Sequence, residues 1–146
     1  MSNGETHRAF VVDASVWVSR FTGVEDRYNT SRIWLGERIR DRVTMVVPSI
    51  ALPELGGALA RRVGTEEPAR RAVRLMFQIP GIRVVTIGDA LGRLSAQVAV
   101  ENRLRGADSI YVALAHRLGV PLVTWDKQQM DRAGPLALAM SPWAPE

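Results

Sequence analysis

The sequence predicts an α/β fold: a single three-layer domain in which helices flank a central parallel sheet of four or five strands. Short apolar runs rich in β-branched residues alternate with amphipathic segments, a pattern typical of a parallel sheet covered by helices. The runs do not alternate strictly between apolar and polar residues, as expected for strands that are buried on both faces. They are "AFVV", "VTMVV", "IRVVTI" and "PLVT", with a weaker fifth run in "LALAM".

Five segments between these runs predict helices. They are "NTSRIWLGERI", "PSIALPELGGALARR", "TEEPARRAVRLMFQ", "GDALGRLSAQVAVENRLRG" and "ADSIYVALAHRLG". The second carries Leu52, Leu55 and Leu59 at helical spacing. The third opens with Thr65, a favourable N-cap residue, and the last finishes at Gly119, which suits a C-cap.

Length and composition limit the classes of protein that fit. The 146 residues suit one domain, which we place at residues 9–146 after a disordered tail at residues 1–8. No apolar run approaches the length of a membrane span, and the start of the chain lacks the pattern of a secretion signal, which favours the cytoplasm. The absence of cysteine leaves only oxygen or imidazole ligands for a metal. The net charge of +4 favours an anionic partner.

Acidic side chains stand where the predicted strands end. Asp13 ends "FVVD" and Asp126 ends "PLVTWD", whereas Glu54 and Asp108 lie near the starts of two predicted helices. Because ligands of open parallel sheets bind outside the carboxyl ends of the strands, we expect the four carboxylates to converge. Their mutual repulsion at neutral pH would require a proton or a cation, and oxygen-only ligation favours Mg²⁺ or Mn²⁺.

Helix capping is the competing interpretation of these aspartates. Aspartate is a preferred N-cap residue, and Asp126 with Gln129 resembles a capping box. Asp89 also follows a predicted strand, and we interpret it as a cap with no further role. Glu54 does not fit this explanation, because it lies beside Leu55 at the margin of an apolar stripe, where it would be partly desolvated.

Three motifs together resemble a known family. They are "VVDASV" around Asp13, "VPSIALPEL" around Glu54, and "GADSIYVALAHRLGVPLVTWD" with Asp108 and Asp126. In this order and at these separations they resemble the PIN-domain nucleases and, within them, the short VapC-type toxins of type II toxin-antitoxin pairs. The resemblance extends over residues 10–140, and the third motif is its most specific part.

The resemblance implies an acidic quartet that holds one or two divalent ions, Mg²⁺ or Mn²⁺, with small polar side chains beside it. The quartet is Asp13, Glu54, Asp108 and Asp126, and the small polar positions are Ser15 and Thr124. Two residues depart from the family pattern: Pro53 directly before the glutamate, and Trp125 between the threonine and the last aspartate. Both concern the shape of the pocket rather than its ligands.

The expected activity is that of a metal-dependent endoribonuclease, in which a metal-activated water hydrolyses an RNA phosphodiester. The resemblance also implies a cognate antitoxin and a homodimer. A metal-free ribonuclease would normally use histidines, and we assign no catalytic role to His7 or His116. Two alternatives remain open. One is a stand-alone PIN-type RNA-processing nuclease, and the other is a non-catalytic α/β binding or signalling domain whose aspartates are helix caps.

Overall fold

The computed structural model describes residues 7–23 and 26–143. Within these ranges the chain forms five strands and seven helices: β1 (Ala9–Val12), α1 (Ala14–Thr22), α2 (Arg27–Arg40), β2 (Thr44–Pro48), α3 (Ala51–Val63), α4 (Glu66–Gln78), β3 (Ile82–Val85), α5 (Asp89–Asn102), α6 (Gly106–Leu118), β4 (Leu122–Val123), α7 (Lys127–Ala133) and β5 (Ala139–Met140). Most of the predicted tail lies outside the described residues, so that expectation stays a prediction. At its end, the Arg8 carbonyl accepts a hydrogen bond from the Thr44 backbone N–H.

The sheet is parallel throughout, with the strand order β3-β2-β1-β4-β5. Val11 in the central strand pairs with Val46 of β2 on one side and with Leu122 of β4 on the other. The chain order therefore reverses beside β1, and such a switch point leaves a crevice at the carboxyl ends of the strands. The predicted fold class is confirmed.

The helices that flank the sheet form two packed groups. Helix α1 packs against α2 and α3, and α3 packs against α4. Helix α5 packs on α6, which lies against β1, β2 and β4. Helix α1 was not among the predicted helices. In "FVVDASVWVSRF" the apolar residues continue past the strand, so no polar face marks the start of a helix, and Val16 and Trp17 of this helix are fully buried. Helix α5 ends at Asn102, before the predicted Gly106, since Arg103 adopts a left-handed conformation. None of the helices within the described ranges combines the length and hydropathy that crossing a bilayer requires.

Gly81 lies where the chain enters β3, and there the backbone approaches β2 closely. Its φ is +84°, and a Cβ atom at this position would lie 2.6 Å from the carbonyl oxygen of Val43. The Gly81 carbonyl also accepts a hydrogen bond from the Met45 backbone N–H. Only glycine meets both the conformation and the space, which fixes how β3 joins the sheet.

An aromatic cluster closes the amino ends of the strands. The rings of Phe10, Trp34 and Trp143 meet at centroid distances of 5.3 to 6.2 Å, and the Arg38 guanidinium lies over both indoles. Trp34 is fully buried, whereas Trp143 is 40% exposed. Through this cluster Trp143 packs against β1 and α2, at the edge of the sheet opposite to the predicted acidic site.

Candidate metal and phosphodiester site

The four predicted acids line one cavity of about 600 Å³ at the carboxyl ends of the strands. Asp13 follows β1 and Asp126 follows β4, while Glu54 and Asp108 lie in the first turns of α3 and α6. Other residues that line the cavity include Ser15, Arg61 and Arg105. The expected convergence of these acids on one edge of the sheet is therefore what the fold produces.

Asp13 is the most deeply buried acid of the cavity, with 6% of its surface exposed. Its Oδ2 accepts hydrogen bonds from the Ser15 backbone N–H at 3.0 Å and from the Thr124 hydroxyl at 3.2 Å. Gln129 Nε2 approaches Oδ1 at 3.5 Å, a weak contact. Burial raises the pKa of Asp13, the hydrogen bonds from Ser15 partly oppose this rise, and the charge of Asp108 adds to it.

The hydroxyls of Ser15 and Thr124 connect the two strand ends. Their oxygens lie 3.3 Å apart. The Ser15 oxygen accepts the backbone N–H of Trp125 at 3.0 Å, and the Thr124 oxygen accepts that of Asp126, also at 3.0 Å. The two small polar side chains therefore fix the segment that carries Asp126 relative to Asp13, a supporting role that the sequence left open.

Glu54 lies in the first turn of α3, where the preceding Pro53 needs no intrahelical hydrogen-bond donor. The hydroxyl of Tyr111 in α6 donates a hydrogen bond of 2.7 Å to its Oε1. Burial raises the pKa of Glu54, and the charges of Asp13 and Asp108 raise it further, whereas the bond from Tyr111 opposes the rise. Burial also raises the pKa of Tyr111, so the phenol stays protonated and donates.

Arg105 bridges the remaining two acids. Its Nε lies 3.0 Å from Asp108 Oδ2, and its Nη2 lies 3.1 Å from Asp126 Oδ2. Burial raises the pKa of Asp108, the Arg105 charge opposes that rise, and the Asp126 charge adds to it. The charge of Asp108 in turn raises the pKa of Arg105. The Arg105 side chain is 72% exposed, so its two ion pairs with Asp108 and Asp126 lie at the mouth of the cavity.

Capping and cavity-lining are not exclusive roles for these aspartates. Asp13 is the N-cap of α1, and Asp126 is the N-cap of α7, where its Oδ1 accepts the Gln129 backbone N–H at 3.0 Å. Both residues nevertheless line the cavity. Asp89 is not a cap: the N-cap of α5 is Gly88, and the Asp89 carboxylate pairs with Arg93 on the exposed surface.

Four carboxylate ligands suit a divalent cation chemically, although in this structure they are too far apart for three of them to ligate one ion. Four carboxylates line one cavity, and the pKa values of Asp13, Glu54 and Asp108 are raised, so the site favours neutralisation by protons or by a cation. Within residues 7–23 and 26–143, no group of three or more acidic or histidine side chains is close enough to ligate one ion. Between Asp108 and Asp126 the guanidinium of Arg105 stands as the neutralising cation.

Three residues of the site were not predicted from the sequence: Arg105, Tyr111 and Gln129. Gln129 is buried, and its Nε2 donates to the Asp108 carbonyl at 3.2 Å. Arg105 and Tyr111 each lie three residues from Asp108, the first as the N-cap residue of α6 and the second one turn further into that helix. The spacing around Asp108 could have identified both residues as its neighbours from the sequence. The hydrogen bond from Tyr111 to Glu54 spans 57 positions, and no local pattern predicts it.

The chain belongs to the PIN domain family, because the family profile matches residues 10–135. No curated protein matches its sequence significantly.

Solved structures with the same fold include microbial toxins. The chain is similar to PAE2754 from Pyrobaculum aerophilum, with 23% identity, a TM-score of 0.65, and coverage of 91% of this chain and 83% of that one. It is similar to Mycobacterium tuberculosis VapC20, described as a toxin that cleaves the sarcin-ricin loop, with 20% identity, a TM-score of 0.71, and coverage of 89% and 97%. It is also similar to a chain of VapBC2 from Rickettsia felis, solved with a promoter DNA fragment, with 14% identity, a TM-score of 0.70, and coverage of 93% and 99%.

Proposed function

We propose that this protein is a metal-dependent endoribonuclease and the toxin of a toxin-antitoxin pair. The observation that carries the proposal is the cavity itself, in which four carboxylates face one space and burial raises the pKa values of three of them, Asp13, Glu54 and Asp108. A fold that needed these residues only as caps would have no reason to bring Glu54 to the same place, since Asp13 and Asp126 already cap their helices.

The acids Asp13, Glu54, Asp108 and Asp126 would hold Mg²⁺ or Mn²⁺. When bound, such an ion activates water and stabilises the charge that develops on a phosphodiester. Ser15 and Thr124 keep the Asp13 carboxylate oriented, and Tyr111 holds Glu54 so that its second oxygen is available to an ion or to the proton of an attacking water. Histidine is not part of the site: His116 is exposed on α6, and its ring nitrogen contacts the Leu136 carbonyl.

RNA is the proposed substrate, and it is supported by charge and by the structural neighbours. The net charge of +4 favours binding to a polyanion. VapC20, which shares the fold, is described as a toxin that cleaves the sarcin-ricin loop.

A cognate antitoxin and a second copy of the chain are the proposed protein partners. Several neighbours were solved as toxin-antitoxin complexes, among them VapBC2 and a complex from Klebsiella pneumoniae. A basic side chain of an antitoxin could neutralise the acidic cavity in place of a metal ion. Co-expression with the product of the adjacent reading frame tests the partner: toxicity that this product relieves supports a toxin, and its absence favours a stand-alone RNA-processing nuclease. Light scattering tests the dimer.

The thermal midpoint with and without millimolar Mn²⁺ tests the metal site. The variants are Asp13→Asn and Asp108→Asn, and Asp89→Asn is the matched control, because it makes the same chemical change on the exposed surface. Asparagine caps helices about as well as aspartate, so the loss of charge is separated from the loss of a cap. We expect Mn²⁺ to raise the midpoint of the wild type and of the control by mass action, and not that of the two cavity variants.

Cleavage of RNA in the presence of Mn²⁺ then tests the activity on the same four proteins. We expect cleavage by the wild type and by Asp89→Asn, and loss of cleavage in both cavity variants. If Mn²⁺ stabilises none of the proteins and the cavity variants behave like the wild type, the aspartates are caps and the nuclease assignment is wrong.

A further inference from the structure

Arg105 places a positive charge against two of the proposed ligands and so competes directly with the proposed ion. Its guanidinium bridges Asp108 and Asp126, two of the four proposed ligands, with nitrogen to oxygen distances of 3.0 and 3.1 Å. Over the described residues, three carboxylates are nowhere close enough to share an ion. Binding of an ion by the quartet therefore requires a rearrangement, and an ion held by Asp108 and Asp126 has to displace the guanidinium from them.

The arginine is the part of the site that can move most easily. Asp13 and Asp126 are fixed as N-caps, and Asp108 lies within α6. Arg105 is the N-cap residue of α6, and its side chain is 72% exposed, so its rotamers can change while the helix stays in place. Solvent weakens ion pairs made by so exposed a guanidinium, so binding of a divalent ion can displace them.

The chemistry of the displaced side chain defines its next partner. A guanidinium presents its donors as a planar fork that matches two oxygens of a carboxylate or of a phosphate. After release from the two acids, Arg105 remains tethered at the mouth of a cavity where an RNA phosphodiester must enter. The other arginine that lines the cavity is Arg61, whose guanidinium lies beside Gly57 and forms no described bond with the four acids.

We propose that Arg105 is the phosphate-binding residue of this cavity, and that it exchanges Asp108 and Asp126 for an RNA phosphate when a divalent ion binds. This inference rests on the proposed nuclease function. Because the ion and Arg105 compete for the same acids, ion binding frees the arginine for RNA. Ion and RNA therefore bind cooperatively in the wild type, and this coupling must be reciprocal.

The test measures Mn²⁺ affinity by calorimetry and RNA affinity by fluorescence anisotropy, on the full chain. The RNA is a short, labelled single strand of mixed sequence, and a denaturing gel shows that it is intact after the measurement. The variants are Arg105→Ala and Arg105→Lys, and Arg61→Ala is the control, since it removes the same charge from the same cavity.

For Arg105→Ala we expect Mn²⁺ affinity to rise by up to about 30-fold, the upper limit that two released surface ion pairs give. We expect its RNA affinity to fall, to lose its dependence on Mn²⁺, and to show a salt dependence shallower by about 0.7 in log-log slope. Arg105→Lys keeps a charge but cannot bridge both acids as a planar fork, so its Mn²⁺ affinity should lie between those of the wild type and Arg105→Ala. Arg61→Ala should keep the coupling between Mn²⁺ and RNA.

Four outcomes overturn the inference. Equal gains in Mn²⁺ affinity for Arg105→Ala and Arg61→Ala would show general electrostatics rather than competition. Weaker Mn²⁺ binding in Arg105→Ala would show that the arginine supports the site. If the wild type binds Mn²⁺ and cleaves RNA while Arg105→Ala behaves like Arg61→Ala, this inference alone fails; if the wild type does not bind Mn²⁺, the proposed function fails with it.

Discussion

Replacing Tyr111 with phenylalanine tests whether Glu54 is held as an ionised carboxylate in the cavity. Tyr111 is fully buried, and its hydroxyl donates to Glu54 Oε1 at 2.7 Å. A hydrogen bond to a charged group contributes about 1.5 to 3 kcal/mol, against about 0.5 to 1.5 kcal/mol for a bond between neutral groups. With a urea m-value of about 2 kcal/mol/M, the larger range lowers the urea midpoint of Tyr111→Phe by about 0.8 to 1.5 M near neutral pH.

The pH dependence of that loss identifies the charged partner. The bond opposes the rise in the pKa of Glu54, so its removal raises that pKa further and costs most when Glu54 is ionised. Below the pKa of Glu54 the carboxyl is neutral, and the cost should fall to the smaller range. Urea denaturation at about pH 7 and about pH 4 measures both values.

A matched control comes from the other tyrosine of the chain, Tyr28, whose hydroxyl has no described hydrogen bond. Tyr28→Phe should change the free energy of unfolding by less than about 0.5 kcal/mol. A double-mutant cycle with Glu54→Gln isolates the interaction energy of the Tyr111 and Glu54 pair. An equal loss for Tyr111→Phe at both pH values would refute the reasoning, and so would no loss at all.

Three other measurements follow from the same contacts. Burial raises the pKa values of Asp13, Glu54 and Asp108 in the folded protein. Without metal, the stability that these three acids contribute is therefore full below about pH 4 and is lost as the pH rises through the raised pKa values. Asp13→Asn should make the free energy of unfolding depend less steeply on pH. Thr124→Val removes a buried hydroxyl that donates to Asp13, and it should cost about 1 to 3 kcal/mol in urea denaturation. Ser31→Ala removes the acceptor of the Trp125 indole N–H, and we expect a similar loss in urea denaturation.

The sequence was sufficient to predict the strands and the acids at their ends, because both depend on local pattern. A β-branched run that ends in Asp13 is visible within eight residues, and Pro53 restricts Glu54 to the start of a helix. The bonds that orient these acids were not predictable, since Tyr111 reaches Glu54 and Gln129 reaches Asp13 only after distant elements have packed. Which side chains of separate helices and strands come into contact depends on tertiary packing, and no local spacing in the sequence encodes it.

The short pairing of β4 with β5 gives the two sides of the sheet different stiffness. Strands β4 and β5 pair over two residues, whereas β2 and β3 pair over four. Amide protons at the β4–β5 edge should therefore exchange with solvent faster than those of β1 and β2, because fewer bonds must open together. Asp126 leaves the sheet from that softer edge and Asp13 from the central strand. We therefore expect the bonds through Ser15 and Thr124 to hold the segment that carries Asp126 against Asp13 when this edge opens.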